Sequence, residues 1–329
     1  MKFSLQDVTN RFLSAIRLLI LVFIASSSVG WISTANAVPS VVTQLGTAVS
    51  QYETSSTLSS FTVPAGRNRL LVVVASDVNS NNVTGVTFNG NAMIEVLEGT
   101  DNIAVDSIYV LALGTAVGST TGDIVMVSGG GASAEKFIAA VVFENVDQAD
   151  PTSSEVRRLD PTGVSPSTLA VTSADGDLVF DMIDTYRADA PSTLTVGVDQ
   201  AQLHDQSGSS FSGGFAHYST STKDGAAGAT TSWTNNASAL QHMAMNIKAA
   251  PLSGSLTIIK EANPEDGTDF AFTSDIPGGE SFSLDDEPSQ TDAISQSITF
   301  ADIPAGSYAI TETLPAIGGW TNHLHRRQR

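Results

Sequence analysis

Short β-branched apolar runs, broken repeatedly by turn-forming clusters, restrict this chain more than any other feature. Such runs stand at Leu70–Val74, Val83–Phe88, Ile103–Leu113, Ile124–Val127 and Phe137–Phe143. Others follow at Leu169–Val171, Leu178–Ile183, Leu194–Val198 and Leu240–Ile247. Between them lie Ser76–Asn82, Asn89-Gly90-Asn91, Gly129-Gly130-Gly131, Asp175-Gly176-Asp177 and Gly213-Gly214. Asn-Gly and Asp-Gly tolerate the positive φ of tight hairpins, so these clusters read as turns. No segment carries a long apolar stripe at helical spacing. Ala132–Val142 has the length of a short helix, but its Val/Phe-rich end fits a buried strand better. Many short strands without intervening helices predict an all-β chain built as an antiparallel sandwich or jelly roll. Ile103–Tyr109 mixes polar and apolar residues, as a strand with one wet face does. Leu70–Val74 and Val141–Phe143 are apolar throughout, as strands covered on both faces are.

The first residues follow a different logic. Lys2, Arg11 and Arg17 precede the apolar run Leu18–Ala25, and small residues lead on to Ala35-Asn36-Ala37. This charged, apolar and A-x-A layout predicts a secretory signal peptide over 1–37, cut after Ala37. Its dense apolar core is about half of the ~20 residues a membrane span needs. No later stretch reaches that length, so no membrane span is expected after cleavage. Removing 1–37 takes away Lys2, Arg11, Arg17 and Asp7, and the formal charge moves from −19 to −21. Such a surface repels nucleic-acid phosphates and anionic lipid, and favours divalent cations. Cys is absent, although exported domains often rely on disulfides. Stability must then come from the core, a metal or another crosslink.

Composition shifts near Ala249-Ala250-Pro251-Leu252-Ser253-Gly254, where a new strand begins at Leu256. The expected organisation is a sandwich over 38–250, a linker at 251–254, a β-module over 255–320 and an atypical basic tail at 321–329. The module resembles the prealbumin-like, B-type repeat domains of bacterial surface adhesins and pilins. The resemblance rests on Gly254–Lys260, Phe270-Ala271-Phe272 and the turn-to-strand run Phe300–Glu312, which contains Pro304, Gly306 and Tyr308. It implies a spacer or stalk unit. Some relatives carry an internal isopeptide between a first-strand Lys and a last-strand Asn, assisted by a buried acid. The resemblance implies Lys260 and Glu312 as the matching positions, with Asn322 lying in the tail. Residues 38–250 resemble a family of secreted bacterial domains, through Val63–Val73, Val83–Gly90, Val142–Gln148 and Asp175–Val179. That likeness implies a jelly-roll sandwich of the kind lectins and glucanases use.

A jelly roll invites glycosidase chemistry, which needs two carboxylates flanking the scissile bond. Glu144 and Asp147 are three residues apart, as are Asp181 and Asp184. Side chains at odd spacing face opposite ways on a strand, so both pairs read as solvated turn or strand-end groups. No G-x-S-x-G elbow, H-E-x-x-H or P-loop occurs. His204 and His217 read as surface residues. Asp77, Asn79 and Asn81 offer oxygens at alternating spacing for a loop-borne Ca²⁺, the one cofactor the sequence suggests. Asn82 and Phe88 stand where an EF-hand needs Gly and Glu. Trp233, Phe211, Phe215 and Tyr218 are the candidate lining of a carbohydrate groove, because rings stack on sugar faces.

The expectation is a non-catalytic bacterial protein, secreted or displayed at the cell surface, for adhesion or surface structure. Its partner would be an extracellular glycan or protein surface. The alternative is a secreted carbohydrate-binding protein or degenerate jelly-roll glycosidase.

Overall fold

The computed structural model describes the chain apart from residues 1–14, 22–37, 52, 79–82, 101–103, 115–117, 130–134, 212–213, 252, 263–267, 286–293, 305–306, 314–320 and 326–329. The described residues form strands and connections with no helix. Ala37, the expected cleavage point, lies outside them. Within 1–37 only strand β1 (Ala15–Leu21) is described. The chain divides into two compact units, Ala35–Ala250 and Pro251–Arg329 with Met1–Thr34.

The larger unit is built twice over. Its first half contains β2 (Ser40–Gln51), β3 (Ser55–Val63), β4 (Leu70–Val78), β5 (Val83–Phe88) and β6 (Asn91–Ala92). It continues with β7 (Ile94–Thr100), β8 (Ala104–Ala112), β9 (Thr120–Ser128) and β10 (Glu135–Glu144). Its second half contains β11 (Thr152–Asp160), β12 (Ser167–Val171), β13 (Leu178–Arg187) and β14 (Leu194–Val196). Then come β15 (Gln200–Phe211), β16 (Gly214–Asp224), β17 (Ala229–Asn235) and β18 (Ala239–Ile247). The first half forms a five-stranded sheet, β2-β10-β4-β8-β7, and a second sheet, β3-β9-β5-β6. The second half repeats the order as β11-β18-β13-β16-β15 and β12-β17-β14. Every pairing in these sheets is antiparallel. Register repeats too: Leu70 faces Phe143 and Ala112, as Leu178 faces Ile247 and Asp224.

The two five-stranded sheets pack face to face. Leu70, Val72, Val74, Phe137, Val141 and Phe143 of one meet Phe180, Met182, Tyr218, Met243, Met245 and Ile247 of the other. β2 lies against β15 and β7 against β11, the reciprocity expected of like sheets around a pseudo-two-fold axis. The alternate residues of each inner sheet face outward onto its own smaller sheet. Leu71, Val73, Ile138 and Val142 meet Phe61, Val86, Phe88 and Ile124 on one side. Val179 and Ala244 meet Leu169 and Val171 on the other. Residues 38–250 are therefore two sandwiches in four layers, where one was expected. The physical reason is the doubly apolar strand: β4 is buried at every residue, and one sandwich covers only one face of each sheet.

The smaller unit contains β19 (Ser253–Glu261), β20 (Phe270–Ser274), β21 (Ser281–Leu284), β22 (Ser297–Pro304), β23 (Ile310–Thr313) and β24 (Thr321–His325). They form the sheets β22-β19-β1-β24 and β21-β20-β23. Leu256, Ile258, Phe270, Phe272 and Phe300 make its core. Phe282 stacks on Phe272 at 5.1 Å and meets Phe300 edge-on at 5.4 Å. β1 pairs antiparallel with β19 and parallel with β24. The segment 321–329, expected to lack a strand, thus supplies one. Backbone pairing with β1 needs no apolar run in β24.

Candidate functional site

Period-two alternation decides where each polar side chain of β13 points. Val179 packs outward, and Phe180 and Met182 pack into the core between the halves. Asp181 therefore faces the outer sheet and Asp184 the inter-half core. Asp181 Oδ2 accepts a hydrogen bond from Trp233 Nε1 at 2.9 Å and lies 3.1 Å from His242 Nε2. Its Oδ1 accepts from Ser221 Oγ. His242 Nδ1 lies 3.1 Å from Ser167 Oγ. A tautomer protonated at Nε2 satisfies both contacts, with His242 donating to Asp181 and Ser167 donating to His242. Gln200 extends the network through Ser221 Oγ at 2.8 Å and the Ser232 N–H at 2.7 Å.

Serine, histidine and aspartate thus stand in the order that activates a hydroxyl. Ser167, Asp181 and His242 are each 0% exposed, so no substrate carbonyl reaches Ser167. The chain of bonds ties β12 and β17 to β13 and β18, and its chemistry is that of a structural clamp.

A second cluster lies between the halves. Tyr218 stacks on Phe137 with ring centroids 4.2 Å apart. Burial pushes its phenol well above the ordinary range, helped by the negative charges of Asp184, Glu135 and Asp106. Asp106, Glu135 and Asp184 are all buried.

Two lysines are also fully buried. Lys136 Nζ lies 3.5 Å from Asp77 Oδ1, and neither side chain has exposed surface. Ser128 Oγ donates to Asp77 Oδ2. Burial raises the Asp77 carboxyl above its ordinary range, although the bonds from Ser128 and Lys136 pull the other way. In the smaller unit Lys260 Nζ lies 3.1 Å from Glu312 Oε1 and 3.8 Å from the Phe270 ring centroid. Leu256 and Ile258 on the same face of β19 carry Lys260 inward.

Several expectations are corrected by these positions. Asp181 and Asp184 are buried on opposite faces of β13, not solvated, because both lie in the middle of a covered strand. Glu144 and Asp147 do stand at a strand end and a turn, where Asp147 Oδ1 caps the Ala149 and Asp150 N–H groups. His217 is buried between Ser192 O at 2.5 Å and Asp205 Oδ1 at 2.6 Å. His204 is buried against Thr220 Oγ1 at 2.8 Å. Trp233 and Tyr218 do not share a groove. Trp233 of β17 points inward onto Asp181, between the smaller sheet and the five-stranded sheet, whereas Tyr218 lies on the opposite face of that five-stranded sheet, so the two rings cannot line one surface. Phe215 is half-buried, and the Phe211 side chain lies outside the described residues. Of the calcium candidates, Asp77 turns inward onto Lys136, while Asn79 and Asn81 lie outside the described residues. Among the described residues no group of three His, Cys, Asp or Glu is placed to hold a metal ion. Lys260 and Glu312 do meet, and the Asn322 side chain lies outside the described residues.

The Asp181 network and Lys136 escaped the sequence reading. The usable signal was alternation: Asp77 continues the face of Leu71, Val73 and Ala75, and Lys136 continues that of Ile138, Ala140 and Val142. No protein-family model, curated protein or solved structure matches the chain.

Proposed function

We propose that the chain is a non-catalytic secreted or cell-surface protein for adhesion or surface structure. Residues 38–250 act as its jelly-roll-like recognition body and residues 255–320 as a prealbumin-like spacer. The strand orders support the jelly-roll reading. Each half can be read as a jelly roll in which one strand leaves its sheet and joins the other. In the first half β6 starts beside β5 and β7 continues beside β8.

One observation carries the functional reading. The side chains with the richest chemistry serve as ties between strands and layers: Asp181, His242 and Ser167 in one place, Asp77 and Lys136 in another, Lys260 and Glu312 in a third. A sealed clamp favours a durable scaffold over turnover. In the spacer, Lys260 and Glu312 stand 3.1 Å apart, and Glu312 would be the assisting acid of a crosslink from Lys260 to Asn322; that bond would release one ammonia. The test is to incubate the purified chain with immobilised extracellular glycans and matrix proteins while assaying the same samples for hydrolysis. Saturable binding without turnover is the expected result. Reproducible release of reducing sugar overturns the non-catalytic reading, and no binding to any such surface overturns the adhesive one.

A further inference from the structure

Asp77 and Lys136 sit directly opposite each other on paired antiparallel strands, β4 and β10. Both side chains are wholly inside the sandwich core of the first half, on the face that carries Ala75 and Ile138. Three features make this contact a poor ion pair and a good pair of reactants. An ammonium carries three N–H donors, and among the described residues Lys136 Nζ has one hydrogen bond, a long one of 3.5 Å to Asp77. Taking two charges out of water with so few compensating bonds is costly, and a neutral acid facing a neutral amine avoids it. Burial of Asp77 acts in the same direction by favouring its acid form. The geometry is also fixed by strand register, and effective molarities for groups so held reach about 10⁵–10⁸ M.

We propose that Asp77 and Lys136 join in an intramolecular amide bond that staples β4 to β10. The amine of Lys136 attacks Asp77 Cγ, the Nζ–Cγ bond forms and the Cγ–Oδ2 bond breaks. Oδ2 leaves as water, carrying the acid proton and one proton from the amine. Ser128 Oγ stands on Oδ2, where its hydroxyl relays that second proton. Ser128 is the least buried of the three residues, at 8% exposed. The product has one N–H donor and one carbonyl where an ammonium and a carboxylate stood, a demand that far fewer partners satisfy. The crosslink supplies the covalent constraint that a chain without cysteine cannot draw from disulfides. It does not depend on the adhesive reading, because any exported sandwich gains from it.

The experiment is intact-mass measurement of the denatured full chain, followed by tryptic peptide mapping. The expected mass is one water below that of the linear polypeptide, and one ammonia lower still where the Lys260 crosslink has also formed. The map should show a branched peptide containing both Asp77 and Lys136, with no cleavage after Lys136. Lys136→Arg should restore the lost water, and Asp77→Asn should convert the loss of water into loss of ammonia. The wild-type chain decides the matter even if both variants fail to fold. A linear mass with cleavage after Lys136 overturns the proposal. So does a mass deficit that maps only to Lys260.

Discussion

Four donors converge on one carboxylate at Asp181: the Trp233 indole, His242, Ser221 and, at 3.4 Å, the Gln200 amide. Replacing it with Ala leaves all four without that acceptor. Asp181→Ala should destabilise the larger unit by about 3–5 kcal/mol, the usual cost of removing one partner from a buried charged network. Trp233→Phe removes a single donor and should cost less, about 1–3 kcal/mol; chemical denaturation of both variants checks the ranking. A partly covered carboxylate near the end of an edge strand behaves differently. Asp160 accepts from the Thr162 hydroxyl at 2.7 Å and the Thr162 N–H at 2.9 Å, and these bonds hold its carboxyl below the ordinary range. A folded-state value below the unfolded one adds stability above the unfolded value, and that stability is lost as pH falls through the folded value. Thr162→Ala should raise the Asp160 titration midpoint toward the ordinary carboxylate range, read by NMR of the side-chain carboxyl. Its stability deficit should be present at neutral pH and vanish in acid. Neither site was legible as such from composition. Single rings and acids in a β-rich sequence do not reveal which face of which sheet they occupy. Trp233 and Tyr218 look alike in sequence and end on opposite sides of one sheet.

Strands written in apolar residues were readable, and strands written in Ser, Thr, Gly and Gln were not. The runs at Leu70, Leu178 and Leu240 predict β4, β13 and β18, because burial on both faces favours apolar runs, broken where a buried polar side chain such as Asp77, Asp181 or His242 has a partner. Edge strands β11 and β15 have wet faces and hide among loop-like residues. Central β16 hides for another reason. Its Ser and Thr are buried but satisfied, as Ser219 is by His204 O and Ser221 by Asp181, so polarity at those positions carries no cost in water lost. Turns were readable where geometry demands one residue type. Asn89 and Gly90 have φ of 48° and 77° and close the β5–β6 hairpin, as an Asn-Gly pair should. Gly163 also has a positive φ, 68°, but a Cβ there would stand 1.9 Å from the Ala237 carbonyl oxygen, whereas nothing lies within 4 Å at Gly90. The two sites separate conformational strain from collision. Gly90→Ala should cost about 1 kcal/mol through backbone strain alone. Gly163→Ala should cost roughly 2–4 kcal/mol, since backbone cannot swing aside as a side chain can. Thermal unfolding of both variants measures the difference.

The repeated strand order means that the larger unit buries its biggest core between its two halves rather than within either. Phe143 of β10 and Phe180 of β13 meet edge to face across that boundary at 6.0 Å. No resemblance between the halves is needed for this arrangement. Register places Val73 where Asp181 stands in the repeat, and Ile138 where His242 stands, so equivalent positions hold apolar packing in one half and a polar clamp in the other. Alternation and turns specify a topology whatever residues fill it, which is why the repeated strand order could not be read along the chain. The energetic consequence is coupling. Neither half can keep its inner sheet covered once the other opens, so residues 38–250 should unfold in one transition. Phe143→Ala and Phe180→Ala should each lower that transition by about 3–5 kcal/mol. The double variant should lose less than their sum by roughly 0.5–1.5 kcal/mol, the aromatic contact being counted in both singles. Phe272→Ala, in the separate core of the smaller unit, should leave this transition unmoved and lower another. Calorimetry of the wild type and these four variants distinguishes the cases: two transitions assigned separately to the halves would mean that the face between them contributes little. One shared transition, shifted by either phenylalanine, would establish the inter-half core as the fold's central element.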